Sequence, residues 1–235
     1  MTSALVEFAG VSKSYGGLRP LRIADLRVAA GEQVAILGFD QATAEVFVSL
    51  ATGATLPDAG EVRLLGRATS TITDSADWLA AIDRLGIVSD RTVLLEQFTV
   101  IQNLVIPFTL QIEPPPDADL ARAEDLAREV GLADAPWTAP LTALDPAAAA
   151  RVRVGRAIAL DPAVLLLEHA TAQVPRELVS IFGADIRRIA DRRGLALVAA
   201  TADEAFATAV ASRVLTLEPS TGKLRSRGRS WFRRS

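Results

Sequence analysis

Four short, almost unbroken apolar runs constrain this chain more than any other feature: VAIL at 34–37, IVSD at 87–90, VLLLE at 164–168 and LALVAA at 195–200. Apolar residues at consecutive rather than alternate positions describe strands covered on both faces. Helix-like stretches separate them. In QATAEVFVSLATG, Ala44, Phe47, Val48 and Ala51 share a face and Gly53 suits a C-terminal cap. ELVSIFGADIRRIADRRG and EAFATAVASR read as further helices. Strands alternating with helices predict an α/β fold on a largely parallel sheet with both faces covered.

The remaining segments fit around that body. ALVEFAGVSKSY alternates, with Val6 and Phe8 on one face, and LPDAGEVRLLGR is a turn followed by a short strand. DSADWLAAIDRLG is a short helix, and TVIQNLVIPFTLQ carries the stripe Val100, Leu104, Phe108 until Pro107 bends or ends it. A proline-rich loop precedes a helix whose buried side is Leu120, Leu126 and Val130. In LDPAAAARVRVGRAIAL, Pro146 suits the first helical turn and Asp145 its cap. Arg151, Arg153 and Arg156 on that helix read as a solvated face with salt bridges, and Trp78 and Trp137 as packing residues at subdomain edges.

Composition narrows the functional classes. The 235 residues include no cysteine and one histidine, His169, which removes disulfides, thiolate metal sites and multi-histidine metal sites. A net charge of −3 argues against nucleic acid as the partner of the body. No apolar run is long enough to span a membrane, and MTSALVEFAG lacks the pattern of a secretory leader. The expected location is therefore cytoplasmic. The final stretch, KLRSRGRSWFRRS, gathers Lys223, Arg225, Arg227, Arg229, Arg233 and Arg234 around Trp231 and Phe232. It reads either as a solvated tail or as an arm for an anionic membrane surface.

The order of phrases resembles the nucleotide-binding subunit of an ATP-binding cassette transporter over nearly everything to about Leu224. VSKSYGG resembles the entry strand with its adenine-stacking aromatic at Tyr15, and GEQVAILG the strand before a phosphate loop. TGATLPDAGEVRLLGR, FTVIQNLVIPF and RVRVGRAIALDPAVLLLEHAT resemble the family's later scaffold phrases, in order and at its spacing. The resemblance implies a P-loop NTPase-like α/β fold, an ABC-type ATPase core with an antiparallel β edge and a helical subdomain. It divides the chain into a cassette-like domain at 1–224, with the helical subdomain at about 92–160 inserted, and a basic tail at 225–235.

The chemical residues depart from that family's pattern. Aligned from Gly38, G-x-x-x-x-G-K-[ST] puts Thr43 at the last glycine, Ala44 at the lysine and Glu45 at the Ser/Thr that holds magnesium. A glutamate about 4 Å from a phosphate, at an effective dielectric near 20, costs roughly 4 kcal/mol. What survives is a helix N-terminus, which favours anions modestly. The metal-sensing glutamine falls at Asp90 and the Leu-Ser-Gly-Gly-Gln signature on LDPAA, Leu144 to Ala148. The second acidic motif keeps Glu168 but has His169 at the catalytic glutamate; Pro175 replaces an aspartate and Ala202 the switch histidine.

These readings define the candidate site. The degenerate nucleotide-binding set is Tyr15, Gly38, Thr43, Ala44, Glu45 and Val46; Glu168 and His169 are the catalytic candidates. Tyr15 either stacks adenine or packs on the sheet edge. Glu168 holds magnesium through water, or caps a helix or pairs with an arginine, the second being favoured. His169 is a general base or, as favoured, a structural polar residue. Asp90, Val100 and Leu104 mark the region that the resemblance puts near a permease-docking groove. Expected partners are a transmembrane permease and a second cassette, identical or different, with the chain peripheral on the inner face of the cell membrane. ATP and magnesium are expected to bind weakly if at all. The functional reading is a pseudo-ATPase scaffold or regulatory subunit; the alternatives are a weak ATPase using Glu168 and His169, or a soluble interaction module.

Overall fold

The computed structural model describes residues 4–72, 74–132 and 137–226. The first strands, β1 (Ala4–Lys13) and β2 (Leu21–Ala29), form an antiparallel sheet with β4 (Ala59–Leu64) and β5 (Arg67–Ala68), in the order β2-β1-β4-β5. A second sheet has the order β10-β9-β3-β8-β7-β6. In it β3 (Gln33–Leu37), β6 (Leu85–Ser89), β7 (Val164–Glu168), β8 (Ala196–Thr201) and β9 (Arg213–Glu218) run parallel, and β10 (Lys223–Ser226) closes the edge antiparallel to β9. The helices are α1 (Gln41–Ala51), α2 (Ser75–Ile82), α3 (Val100–Val105), α4 (Asp117–Glu129), α5 (Pro146–Ile158), α6 (Val179–Arg193) and α7 (Glu204–Val210).

The unbroken apolar runs become the parallel strands because each face of that sheet meets a different core. Ala35, Leu37, Leu165, Leu167, Leu197 and Ala199 point into a core shared with α3 to α7. Val34, Ile36, Val164, Leu166, Val198 and Ala200 point into another, shared with α1 and the antiparallel sheet. Side chains alternate between faces with a period of two, so both faces need apolar residues. Each fully buried Leu, Ile or Phe contributes about 1.5–3 kcal/mol. In the second core Phe8 stacks on Phe47 with ring centroids 4.9 Å apart, fixing α1 to β1.

Local signals set the helix ends. Asp145 caps α5 by accepting from the Ala148 N–H, with Pro146 in the first turn. Thr99 and Gln102 form a reciprocal capping box at the start of α3. That helix stops at Val105, before Pro107. Gly53, at φ +72, follows α1 in the left-handed conformation that ends helices.

The arginines of α5 differ from their expected solvated role. Arg151 donates to the Val130 carbonyl at 2.7 Å and to Asp185 at 2.6 Å. Arg153 reaches the Thr92 carbonyl at 3.4 Å and Arg156 the Val93 carbonyl at 2.8 Å. Burial lowers the pKa of both Arg153 and Arg156 from its ordinary value. Three arginines of a helix that read as a charged surface are thus stitches to neighbouring segments. Trp78 and Trp137 do pack at edges, donating to the Thr52 and Leu132 carbonyls. Of the basic stretch, Lys223 and Arg225 lie in β10, where Arg225 pairs with Glu218. Arg227, Arg229, Trp231, Phe232, Arg233 and Arg234 lie outside the described residues.

Candidate functional site

The parallel strands bring their C-terminal ends level. Ser89 of β6 lies opposite Glu168 of β7, and Glu168 opposite Ala200 of β8. The segments that follow, Gly38–Asp40, Asp90–Arg91, His169 and Ala202–Asp203, therefore share one end of the sheet. Ligands of open α/β sheets sit at that end. Gly38 turns at φ +91 and donates to the Thr201 carbonyl at 3.1 Å, tying the loop to β8.

The loop is filled by its own side chains. Asp40 stands at the N-cap of α1 and accepts from the Thr43 N–H at 2.8 Å. Hydrogen bonds from Thr43 hold the Asp40 carboxyl below its usual pKa. Tyr15 packs against the core that includes Phe47, and its hydroxyl shares a hydrogen bond with Thr43 Oγ1 at 2.9 Å. Its ring folds over Gly17, where an added Cβ would meet it at 2.9 Å. Ala44 is buried, and Val46 packs against the same core.

Glu168 has no exposed surface at the end of β7. Arg91 engages it with a two-pronged grip, Nη2 to Oε2 at 2.7 Å and Nε to Oε1 at 3.1 Å. The same guanidinium donates from Nη1 to Glu45 Oε1 at 2.6 Å. Gln41 Nε2 completes the cluster at 3.1 Å from Glu168 Oε1. The bond to Glu168 raises the pKa of Arg91 further above its ordinary value, so it stays charged. Glu45 thus faces a cation. The favoured reading of Glu168, a carboxylate paired with an arginine, matches this arrangement.

His169, with φ +43, sits in the left-handed region just beyond β7. Its Nε2 is buried and has no partner among the described residues. Its backbone N–H donates to the Ala200 carbonyl at 3.1 Å.

The three residues expected near a docking groove separate. Asp90 is half-buried and lines a pocket with Arg91, Arg153 and Gln173, whereas Val100 and Leu104 have no exposed surface. Those two belong to the core beneath that region and present nothing to a partner, because the stripe of α3 faces α4 and α5. The residue missed in the sequence is Arg91. It follows a short strand, belongs to no motif and gains meaning only when β6 pairs with β7. The unpaired demand of Glu45 and Glu168 for a cation was the available signal.

No protein-family model matches the chain. Among curated proteins it is 30% identical over 220 residues to the lipoprotein-releasing system ATP-binding protein LolD of Maricaulis maris, covering 92% of this chain and 95% of that protein. It is likewise 30% identical over 220 residues to the methionine import ATP-binding protein MetN of Brucella abortus, covering 92% of this chain and 58% of MetN. The chain thus spans about three-fifths of the length of its MetN relatives. Among solved structures it is similar to the ATP-binding cassette MJ0796 in a dimeric post-hydrolysis state bound to ADP and Pi. That likeness has a TM-score of 0.76 at 19% identity, covering 95% of this chain and 99% of that one. It is also similar to cbiO1 from Clostridium perfringens, part of the ABC transporter complex cbiONQ. There the TM-score is 0.78 at 18% identity, covering 94% of this chain and 87% of that one. With LolD matched along nearly its whole length and the cassette fold reproduced over almost all of this one, the chain belongs to the ATP-binding cassette family.

Proposed function

We propose that this chain is a cassette subunit that has given up hydrolysis of magnesium ATP, a pseudo-ATPase acting as a scaffold or regulatory subunit beneath a transmembrane permease. It pairs with a second cassette, a copy of itself or another subunit, at the inner face of the cell membrane. The observation that carries this reading is the grip of Arg91 on Glu168 and Glu45, which engages both oxygens of Glu168 and one of Glu45. A cation needs those carboxylates free, and a guanidinium already occupies them.

The helix N-termini support it. Backbone N–H groups at a helix start attract anions when they are free. Here Asp40 accepts from the first turn of α1, Asp145 from that of α5, and Asp203 from two N–H groups of α7. Each of the three resembled phosphate stations, the loop, the signature and the switch, therefore carries a fixed carboxylate. A triphosphate at the loop would meet the Asp40 carboxylate and no loop lysine, since Ala44 holds that position. These residues do not fit a magnesium triphosphate, and no catalytic step through one is assigned to them. The weak-ATPase alternative needs Glu168 as a metal carboxylate, and Glu168 is already committed to Arg91 and Gln41.

For the partners, the support is the naming of LolD within a lipoprotein-releasing system and the dimeric state of MJ0796. No helix among the described residues is long and apolar enough to cross a membrane. The deciding measurement is calorimetric titration with ATP and magnesium, together with phosphate release by the purified chain. The expected outcome is no release and affinity weaker than about 0.1 mM, near 5 kcal/mol. ATP-dependent release that Glu168→Gln and His169→Ala abolish would overturn the proposal.

A further inference from the structure

The segment joining β6 to α3 is held from two sides. On one side Arg91 grips Glu168 of β7 and Glu45 of α1. On the other, Arg153 and Arg156 of α5 donate to the carbonyls of Thr92 and Val93, the next two residues. Beyond them Leu94 is buried, and Leu95 gives its N–H to Asn103 Oδ1 at 2.9 Å and its carbonyl to Asn103 Nδ2 at 3.0 Å. Asn103, on α3, has no exposed surface. From the end of the parallel sheet to the helical region, four of five consecutive residues, Arg91, Thr92, Val93 and Leu95, are held by side-chain hydrogen bonds, and the fifth, Leu94, is buried.

We infer that the Arg91 guanidinium stands in permanently for a dissociable cation between α1 and β7, and that with Arg153 and Arg156 it clamps the helical region to the sheet in one arrangement, with or without nucleotide. This deepens the pseudo-ATPase reading and rests on it for its regulatory sense. A bound ion can leave and relax whatever it bridges; a covalently attached guanidinium cannot. Glu45 and Glu168 belong to different elements, and two carboxylates converging on one point repel unless a cation lies between them. The fork of Arg matches a carboxylate in two-pronged geometry, which Lys does not reproduce. A ligand can shift an arrangement only by binding one state better than another. Here the groups through which it would act are already engaged.

The chain has no cysteine, so the test uses cysteines introduced by Ala121→Cys on α4 and Thr216→Cys on β9, spin-labelled in the full chain. Pulsed electron resonance should give one narrow distance distribution, unmoved by millimolar magnesium ATP. Arg91→Ala should broaden it, and Arg91→Lys should restore it only in part. Should Arg91→Ala not fold, Arg156→Ala cuts the clamp from the helix side without stranding a buried carboxylate and must broaden the same distribution. A distribution indifferent to whichever of these substitutions folds, or one that shifts with magnesium ATP in the parent, overturns the clamp. Folded Arg91→Ala should also bind Mn2+ that the parent leaves free; no gain overturns the stand-in role. Phosphate release is read separately. Hydrolysis with an unmoved, Arg91-dependent distance would sink the pseudo-ATPase reading and leave the clamp standing.

Discussion

A single pair of residues sets the chemistry of this site. Glu168 is fully buried while Arg91 is about half exposed, with side-chain exposures of 0% and 48%. Removing the cation leaves a buried carboxylate with Gln41 as its remaining side-chain partner. Breaking buried pairs typically costs 3–5 kcal/mol; with the exposed guanidinium discounted, Arg91→Ala should cost about 2–4 kcal/mol. Arg91→Met combined with Glu168→Leu should recover most of that loss, because no charge is then left unpaired at Glu168. Urea denaturation of the three proteins checks this, and a single variant as stable as the parent would contradict it. His169 poses the opposite case. Its buried Nε2 lacks a partner among the described residues, so His169→Leu should be tolerated or slightly stabilising, read as an unchanged or raised melting temperature.

Two of the glycines at which elements approach closely, Gly86 and Gly155, differ in kind. A Cβ on Gly86 of β6 would lie 2.4 Å from the Ala157 carbonyl of α5, so backbone must move. A Cβ on Gly155 would meet the Leu104 Cδ2 at 2.7 Å, the end of a side chain that can turn. Gly86→Ala should therefore cost about 1–3 kcal/mol or more. Gly155→Ala, which gains up to about 1 kcal/mol of helix propensity, should stay near the parent. Chemical denaturation distinguishes them, and equal costs would refute this account of how α5 sits on β6. The clamp belongs to this scale too, since it links α5, the segment after β6 and the parallel sheet.

Across the whole molecule, ion pairs tie the helical region to the body. Arg193, at the end of α6, grips Glu129 at the end of α4 and donates to the Ile158 carbonyl of α5. Arg193 holds the Glu129 carboxyl below its ordinary pKa, as Thr43 does for Asp40. A lowered folded-state pKa contributes stability that is complete above the unfolded value and lost as pH falls through the folded one. Stability should therefore hold from about pH 8 down to about 5 and decline below about pH 4. Glu129→Gln should lower the plateau and shrink the decline, followed by the denaturation midpoint at each pH. An undiminished acid decline in that variant would remove Glu129 from the explanation.

The strands and helices were legible in the sequence because they rest on short-range patterns. Consecutive apolar residues at 164–167 require two covered faces, and Asp145 before Pro146 caps a helix wherever the chain goes. The residues that the resemblance sets against cassette motifs, Ala44, His169 and Ala202, were read the same way, as identities at a spacing. What fills the space those identities leave was decided only by tertiary structure. Arg91 is 46 residues from Glu45 and 77 from Glu168, and only the pairing of β6 with β7 and the packing of α1 against β7 bring them together. The arginines of α5 likewise read as solvated until the segment at 92–93 was laid across them. Local pattern fixes which backbone forms, whereas the partner of a charge depends on which distant charge folding places within a few ångströms.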